Sequence, residues 1–420
     1  MADSRTQPKH MHKNFFAPFA ISATAAFAQD AVVETIDDDA EIVAAPVLAA
    51  PAAGITFKPY GWVKFDAVCD SSRTSFGDIG FWVMPGSAPG GGKNELNFAA
   101  RDFRFGTWIY APEFDGVKVT GRFEGDWCND LAPNAYNPRM RLAYIDIALA
   151  NGWLVTAGQA WDTYNSNGIF PETLDPGNLG QTGNPYGRHP LARVSKEIKL
   201  GGGASLTPKI AVQAGRNSAD YDRDGQPDEF ASGVPGLHAT IALSAPVFKD
   251  APNATFAVSG FYGQEKTSAV AGDPETGAGA LPANTYDSSM IHFAAKVPFS
   301  QMFTLQGVFF CGENLDNHLA GVGQGVNPAT QKEIRTVGGY VNGICKYKDW
   351  MFSAGYGIDN PNSDDLPAGS RTRNERAFGT VKYNITKDLS VWTEYSYMRT
   401  TYDTKSADAN RVHMAVRYDF

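Results

Sequence analysis

The residues able to do chemistry in this chain are charged side chains set at alternate positions between apolar ones. Lys118, Arg122, Glu124 and Asp126 alternate with Val119, Gly121, Phe123 and Trp127, and Arg411 and Arg417 share a run with Val412, Met414, Val416, Tyr418 and Phe420. Arg104 and Arg193 sit in similar runs. A period of two gathers such residues on one face of a strand. The result is rows of charge, not the converging nucleophile and base that covalent catalysis requires. Rows of charge set the field along a channel wall, and the ring of charge at its narrowest point sets its selectivity. Basic residues outnumber acids among these positions. That balance favours small anions, although the whole chain has 36 Lys+Arg against 45 Asp+Glu and a net charge of −9.

A second grouping is Asp220, Asp222, Asp224 and Asp228 around Gly225. Carboxylates at alternate positions before a glycine turn are the oxygen donors of a calcium loop. The acid expected at the twelfth position is replaced by Ala231, so a solvated acidic turn accounts for the residues equally well. Calcium, if bound, would be structural, and no other cofactor is implied. His189, His238, His292, His318 and His413 lie in no GxSxG-type nucleophile motif, and His292 and His413 read as polar residues facing a lumen. Cys69, Cys128, Cys311 and Cys345 form no CxxC pair. The registers put the first two on opposite faces and the last two at opposite ends of adjacent strands, so four free thiols are expected. The acidic balance argues against nucleic-acid binding.

The elements that must position these residues begin with the chain's ends. Lys9 and Lys13, the apolar run Phe15 to Phe27 and Ala26-Phe27-Ala28 read as a cleavable secretory signal over 1–28. That run is too short to cross a membrane, which takes roughly 20 apolar residues as a helix. Residues 29–55, acidic at Asp37-Asp38-Asp39 and then rich in Ala and Pro, read as a periplasmic linker too short for a plug domain. From 56 to 420 the pattern is alternation with turn signals, which predicts an all-β chain. Without a spanning helix, only a closed barrel satisfies its backbone inside a bilayer.

Sixteen strands are expected, near 57–69, 98–109, 116–128, 139–149, 153–163, 191–200, 207–216, 234–245, 254–264, 287–297, 302–314, 334–347, 349–358, 373–384, 388–402 and 410–420. Short turns such as Ala150-Asn151-Gly152 alternate with long loops such as Tyr164–Pro190, the topology of a transmembrane antiparallel β-barrel with short periplasmic turns and long extracellular loops. The Tyr164–Pro190 loop, rich in Gly, Asn and Pro and poor in charge, is expected to fold inward as the constriction. Arg188 and Arg193 stand where it rejoins the wall, as the expected anion-contacting pair. The strand beginning at Arg139 has ambiguous facing. The reading is a porin in the outer membrane, meeting its lipid and lipopolysaccharide; a non-conducting adhesin or anchoring barrel, or less readily an outer-membrane hydrolase, is the alternative.

Several stretches also resemble a known family: Tyr60-Gly61-Trp62-Val63-Lys64-Phe65-Asp66, Phe103-Arg104-Phe105-Gly106, Arg141-Leu142-Ala143-Tyr144, Gly158-Gln159-Ala160-Trp161, Leu174-Asp175-Pro176-Gly177 and Tyr356-Gly357-Ile358-Asp359-Asn360-Pro361. In this order they are similar to the DcaP-type trimeric porins of Gram-negative bacteria. The resemblance implies a homotrimer with three pores and uptake of small anions such as dicarboxylic or aromatic acids. It also leads one to look for a periplasmic coiled coil at the front; the linker shows no heptads, so that extension is expected to be missing.

The two readings of the acidic turn separate in one measurement. A calcium loop predicts that millimolar calcium raises the melting temperature and that Asp222→Asn with Asp224→Asn abolishes the rise; a solvated turn predicts no calcium response in either protein.

Overall fold

A computed structural model of the chain describes residues 54–129, 136–215, 233–266, 282–403 and 405–420. The signal, the linker up to residue 53 and the Asp220–Asp228 turn lie outside the described residues. Within them, alternation becomes antiparallel strands of one sheet that closes on itself as a sixteen-stranded barrel. The first strand, Thr56–Asp70, pairs with the last, Lys405–Asp419, from Trp62 opposite Asp419 to Asp70 opposite Arg411. Closure leaves no sheet edge, which a lipid environment demands.

Two wall strands are interrupted. The second runs Glu95–Ala99 and resumes at Arg104–Tyr110, both halves pairing with the first strand. The gap frees Arg101 to turn inward, where its fully buried guanidinium meets Asp78 at 2.6 Å. The sixth runs Arg188–Lys196 and resumes at Ile198–Gly201, paired along its length with Ala204–Gln213. The closing strand starts at Lys405, earlier than expected, because Asp403 takes a left-handed φ of 46° and lets Lys405 pair at once with Tyr402.

Burial alternates as the side-chain period dictates. Leu237, Ala239 and Ile241 face out while His238, Thr240 and Ala242 face in. The outer surface is an apolar belt that includes Phe65, Ile291, Phe293, Phe309, Val341 and Met414. Near the short-turn rim it gives way to aromatic residues such as Phe303, Trp350, Tyr383 and Tyr418, with Trp350 against Tyr383 at 4.5 Å. Aromatic girdles bounding an apolar band are the outer face of a membrane barrel. Among the described residues no helix is long and apolar enough to cross a membrane. All four cysteines are free, with Cys128 buried and Cys69 exposed.

The outward face carries its own prediction. Ile291→Arg, in the apolar belt and far from either end of Thr285–Pro298, is expected to cost about 2–4 kcal/mol in urea titrations of barrels refolded into vesicles. Ile291→Val should cost far less.

Candidate functional site

The segment from Asp162 to Gly187 does fold inward, and its attachments show how. Gln306 donates to the Phe170 carbonyl, the Glu172 amide donates to Asn342 at 2.9 Å, and the Leu174 amide donates to Glu394 at 2.6 Å. These acceptors and donors stand on the wall strands Phe303–Glu313, Arg335–Tyr347 and Leu389–Tyr402, so the segment crosses the lumen. Gly183, at φ 105°, passes so close to the wall that a Cβ there would lie 2.1 Å from the Gly339 carbonyl oxygen. No side chain fits at that approach. At the tip, Asp175 lies between two wall arginines, 2.6 Å from Arg376 and 2.9 Å from Arg411, all three fully buried. Burial alone would raise the Asp175 carboxyl; Arg376 and Arg411 outweigh it and hold the group well below the ordinary carboxylate range. The tip therefore stays anchored as the pH falls through the ordinary carboxylate range.

Between this segment and the wall lies a cavity of about 500 Å³, lined on the wall side by the first four strands, the start of the sixth and the last two. Six cations face it: Lys64, Arg104, Arg139, Arg141, Arg188 and Arg417. Its carboxylates are Asp102, Asp126, Asp175 and Asp316, of which Asp175 is already held by Arg376 and Arg411. The remaining wall acids act as brackets. Asp126 accepts from Arg139 at 2.8 Å and Arg141 at 2.9 Å, Glu124 from Arg141 at 2.7 Å and Arg122 at 3.0 Å, and Asp102 from Lys64 at 3.0 Å. Each acid thus fixes cations in place instead of cancelling the row.

Aromatic faces back the same row. Trp62 lies between Arg104 at 4.1 Å and Arg417 at 3.9 Å from its ring, Arg122 lies 4.6 Å from Trp108, and Arg188 lies 4.8 Å from Trp161. A guanidinium resting on a ring keeps its N–H edge available for an anion. The opposite side of the cavity is apolar, with Ile79, Phe81, Leu174, Pro176 and Tyr186.

Set against the expected residues, Arg104, Asp126, Arg188 and Arg417 line the cavity, and Arg122 and Glu124 stand just beyond them on the same wall. Three expectations need correction. Lys118 sits at the short-turn rim, its exposed ammonium 3.4 Å from Glu113, because the strand has already reached the interface there. Arg411 is fully buried and bound to Asp70 and Asp175, so it anchors the inward segment and meets no solvent. Arg193 does not pair with Arg188 at the cavity; it donates to the Trp161 carbonyl at 3.1 Å, the five-residue spacing having carried it elsewhere on the wall. His292 and His413 face inward but are buried, the latter 2.7 Å from Asp66.

Sequence reading missed Arg139 and Arg141 as a lumenal pair. The cause is a register shift opposite Glu124 and Gly125, in Arg139–Ala148. A bulge reverses the facing of everything beyond it, so Arg139 and Arg141 face in before it and Leu142 and Tyr144 after it. Lys64 was legible, since it alternates with Val63 and Phe65 on the first strand.

No family model matches the chain, and no curated protein matches it. Solved structures do. The outer membrane channel DcaP of Acinetobacter baumannii superposes with a TM-score of 0.70 at 19% identity, covering 88% of this chain and 99% of that one. An anion-selective porin from Comamonas acidovorans gives 0.53 at 11% identity over 87% and 100%, and a trimer form of OmpT, an outer membrane protein of Vibrio cholerae, gives 0.55 at 14% over 87% and 99%. This chain has the outer-membrane porin fold. At such identities the likeness is one of fold, and the apolar belt is the surface that a porin barrel presents to the bilayer.

Removing the tip anchor should be costly. Asp175→Asn leaves Arg376 and Arg411 buried with one acid fewer, which is expected to destabilise by about 3–5 kcal/mol, read as a lower melting temperature and as noisier single-channel current.

Proposed function

We propose that the protein is a porin of the bacterial outer membrane through which small polar solutes diffuse passively, with small anions favoured. The observation that carries the reading is the cavity beside the inward segment, where six cations meet four carboxylates and one of those four is bound elsewhere. A solute passing there meets guanidinium edges on one side and apolar side chains on the other. That pairing suits an anion with an apolar body, such as an aromatic acid or a short dicarboxylic acid. The printed description of the Comamonas acidovorans barrel as anion-selective supports the same direction.

A homotrimer surrounded by lipid and lipopolysaccharide is part of this proposal. The trimer form among the matching structures supports it. Passive diffusion asks only for a hydrated lumen and a fixed field, and the bracketed arginines supply the field with no catalytic step.

Single-channel recording in a planar bilayer under a potassium chloride gradient tests the reading. Current in steps of three with a reversal potential on the chloride side is expected. Arg104→Ala together with Arg188→Ala should move that potential toward zero while leaving the barrel folded. A folded barrel without conductance would favour the adhesin or anchoring alternative.

A further inference from the structure

Four of the five histidines among the described residues, His189, His238, His292 and His318, come together where the inward segment leaves the wall. His238 stands on Gly236–Ala245, His292 on Thr285–Pro298 and His189 on the sixth wall strand. His318 belongs to a second segment, between Glu313 and Arg335, which also turns inward. Tyr164 is at the centre. Its ring lies 5.8 Å from His238 and 5.2 Å from His292, and its hydroxyl bonds to His318 Nδ1 at 2.8 Å and to Asp162 at 3.0 Å. Asp162 in turn lies 2.6 Å from His189 Nδ1. The Tyr186 amide donates to the His318 carbonyl at 3.0 Å and the Gln181 amide to the Leu319 carbonyl, so backbone as well as side chains tie the two segments.

His238 and His292 are unlike the other two. They are 2% and 1% exposed, and neither ring nitrogen of either has a hydrogen-bond partner among the described residues. Buried polar atoms are nearly always satisfied, and burying them bare costs free energy even when neutral. The surroundings are Phe261, Met290, Phe310 and Leu315. The charged or titratable groups facing His238 are Asp162, His189, His318, Arg193 and Tyr164; across its neighbouring strands stand Ala211 and Phe261. His292 faces Tyr164, with Ser259 and Phe310 beside it on the adjoining strands and no charged group acting on it among the described residues.

We propose that this cluster is a proton-operated latch, which in its neutral form clamps the roots of both inward segments and keeps that side of the lumen dry, and which opens to water when His238 and His292 become charged. Imidazole in water titrates near 6.5. The open state exposes both rings and so binds up to two more protons than the closed one. Lowering the pH through that range therefore shifts the balance toward the open state, by up to about 100-fold per pH unit for two protons. The Asp175 anchor is untouched in mild acid, so the segment loosens at its root and stays tied at its tip. Water entering there meets Arg193 and Lys209, which bond to the Trp161 carbonyl, Ser166 and Asn167 and have no carboxylate within ion-pairing reach among the described residues. Acid thus adds a cationic path beside the first.

The conductance arm of the test rests on the porin reading; hydrogen exchange does not. Wild type and His238→Phe/His292→Phe are recorded in planar bilayers at about pH 7.5 and about pH 5, and exchange in residues 162–170 and 314–320 is followed by mass spectrometry under both conditions. Expected for wild type in acid are about two-fold higher conductance and about ten-fold faster exchange in both segments after correction for intrinsic rates, with neither change in the double variant. Should that variant not fold, His292→Gln alone is expected to make the pH response less steep. Acid-dependent exchange in a wild type that never conducts would support the latch and sink the porin reading. A conducting wild type whose exchange ignores pH, or a response that survives both substitutions, would overturn the latch.

Discussion

Backbone amides cannot be left unpaired in hydrocarbon, and everything else in this molecule follows from that constraint. A sheet that lies in hydrocarbon must close, and closure is achieved when Thr56–Asp70 takes both the second strand and Lys405–Asp419 as neighbours. Once closed, each strand has one face toward lipid and one toward the lumen. Much of the charged half of the alternating runs is then collected inside, while charges at strand ends, such as Lys118, stay exposed at the rim.

Inside, electrostatics decides the layout. A row of arginines would repel itself if left alone in a confined lumen. Glu124, Asp126 and Asp102 relieve this by each taking more than one cation, Asp102 meeting both Lys64 and Arg104, and Trp62, Trp108 and Trp161 support the guanidinium planes. The same chemistry serves a structural purpose at Asp175, where two buried arginines tie down the segment that narrows the lumen. A cation that lines the cavity and a cation that anchors a loop are the same residue type on the same face of a strand. They differ in that a carboxylate of the inward segment also reaches the anchors, whereas the lining cations are held by acids of the wall.

Much of the fold was legible because a period of two is a local signal. Lys118, Arg122 and Asp126 against Val119 and Phe123 announce a half-lipid strand without any knowledge of neighbours, and turn residues mark where such strands end. The inward segment was legible too, from its glycines and its scarcity of charge. The register shift at Glu124 and Gly125 was not, since a bulge is a relation between two strands. Nor was the gap at 100–103, where Arg101 turns in to meet Asp78, a residue 23 positions earlier.

By itself, then, the sequence determined the class of fold, the number of strands, the facing of the regular ones and the identity of the crossing loop, all properties set by spacing along the chain. Only the tertiary structure decided that Arg411 is an anchor, that Arg193 is parted from Arg188, that Arg139 and Arg141 join the cationic wall, and that four histidines meet at Tyr164. Each of these depends on which distant side chain arrives within about 3 Å, the range over which a hydrogen-bonded ion pair forms. Barrel closure and the path of the inward segment set that distance, and no local pattern encodes it.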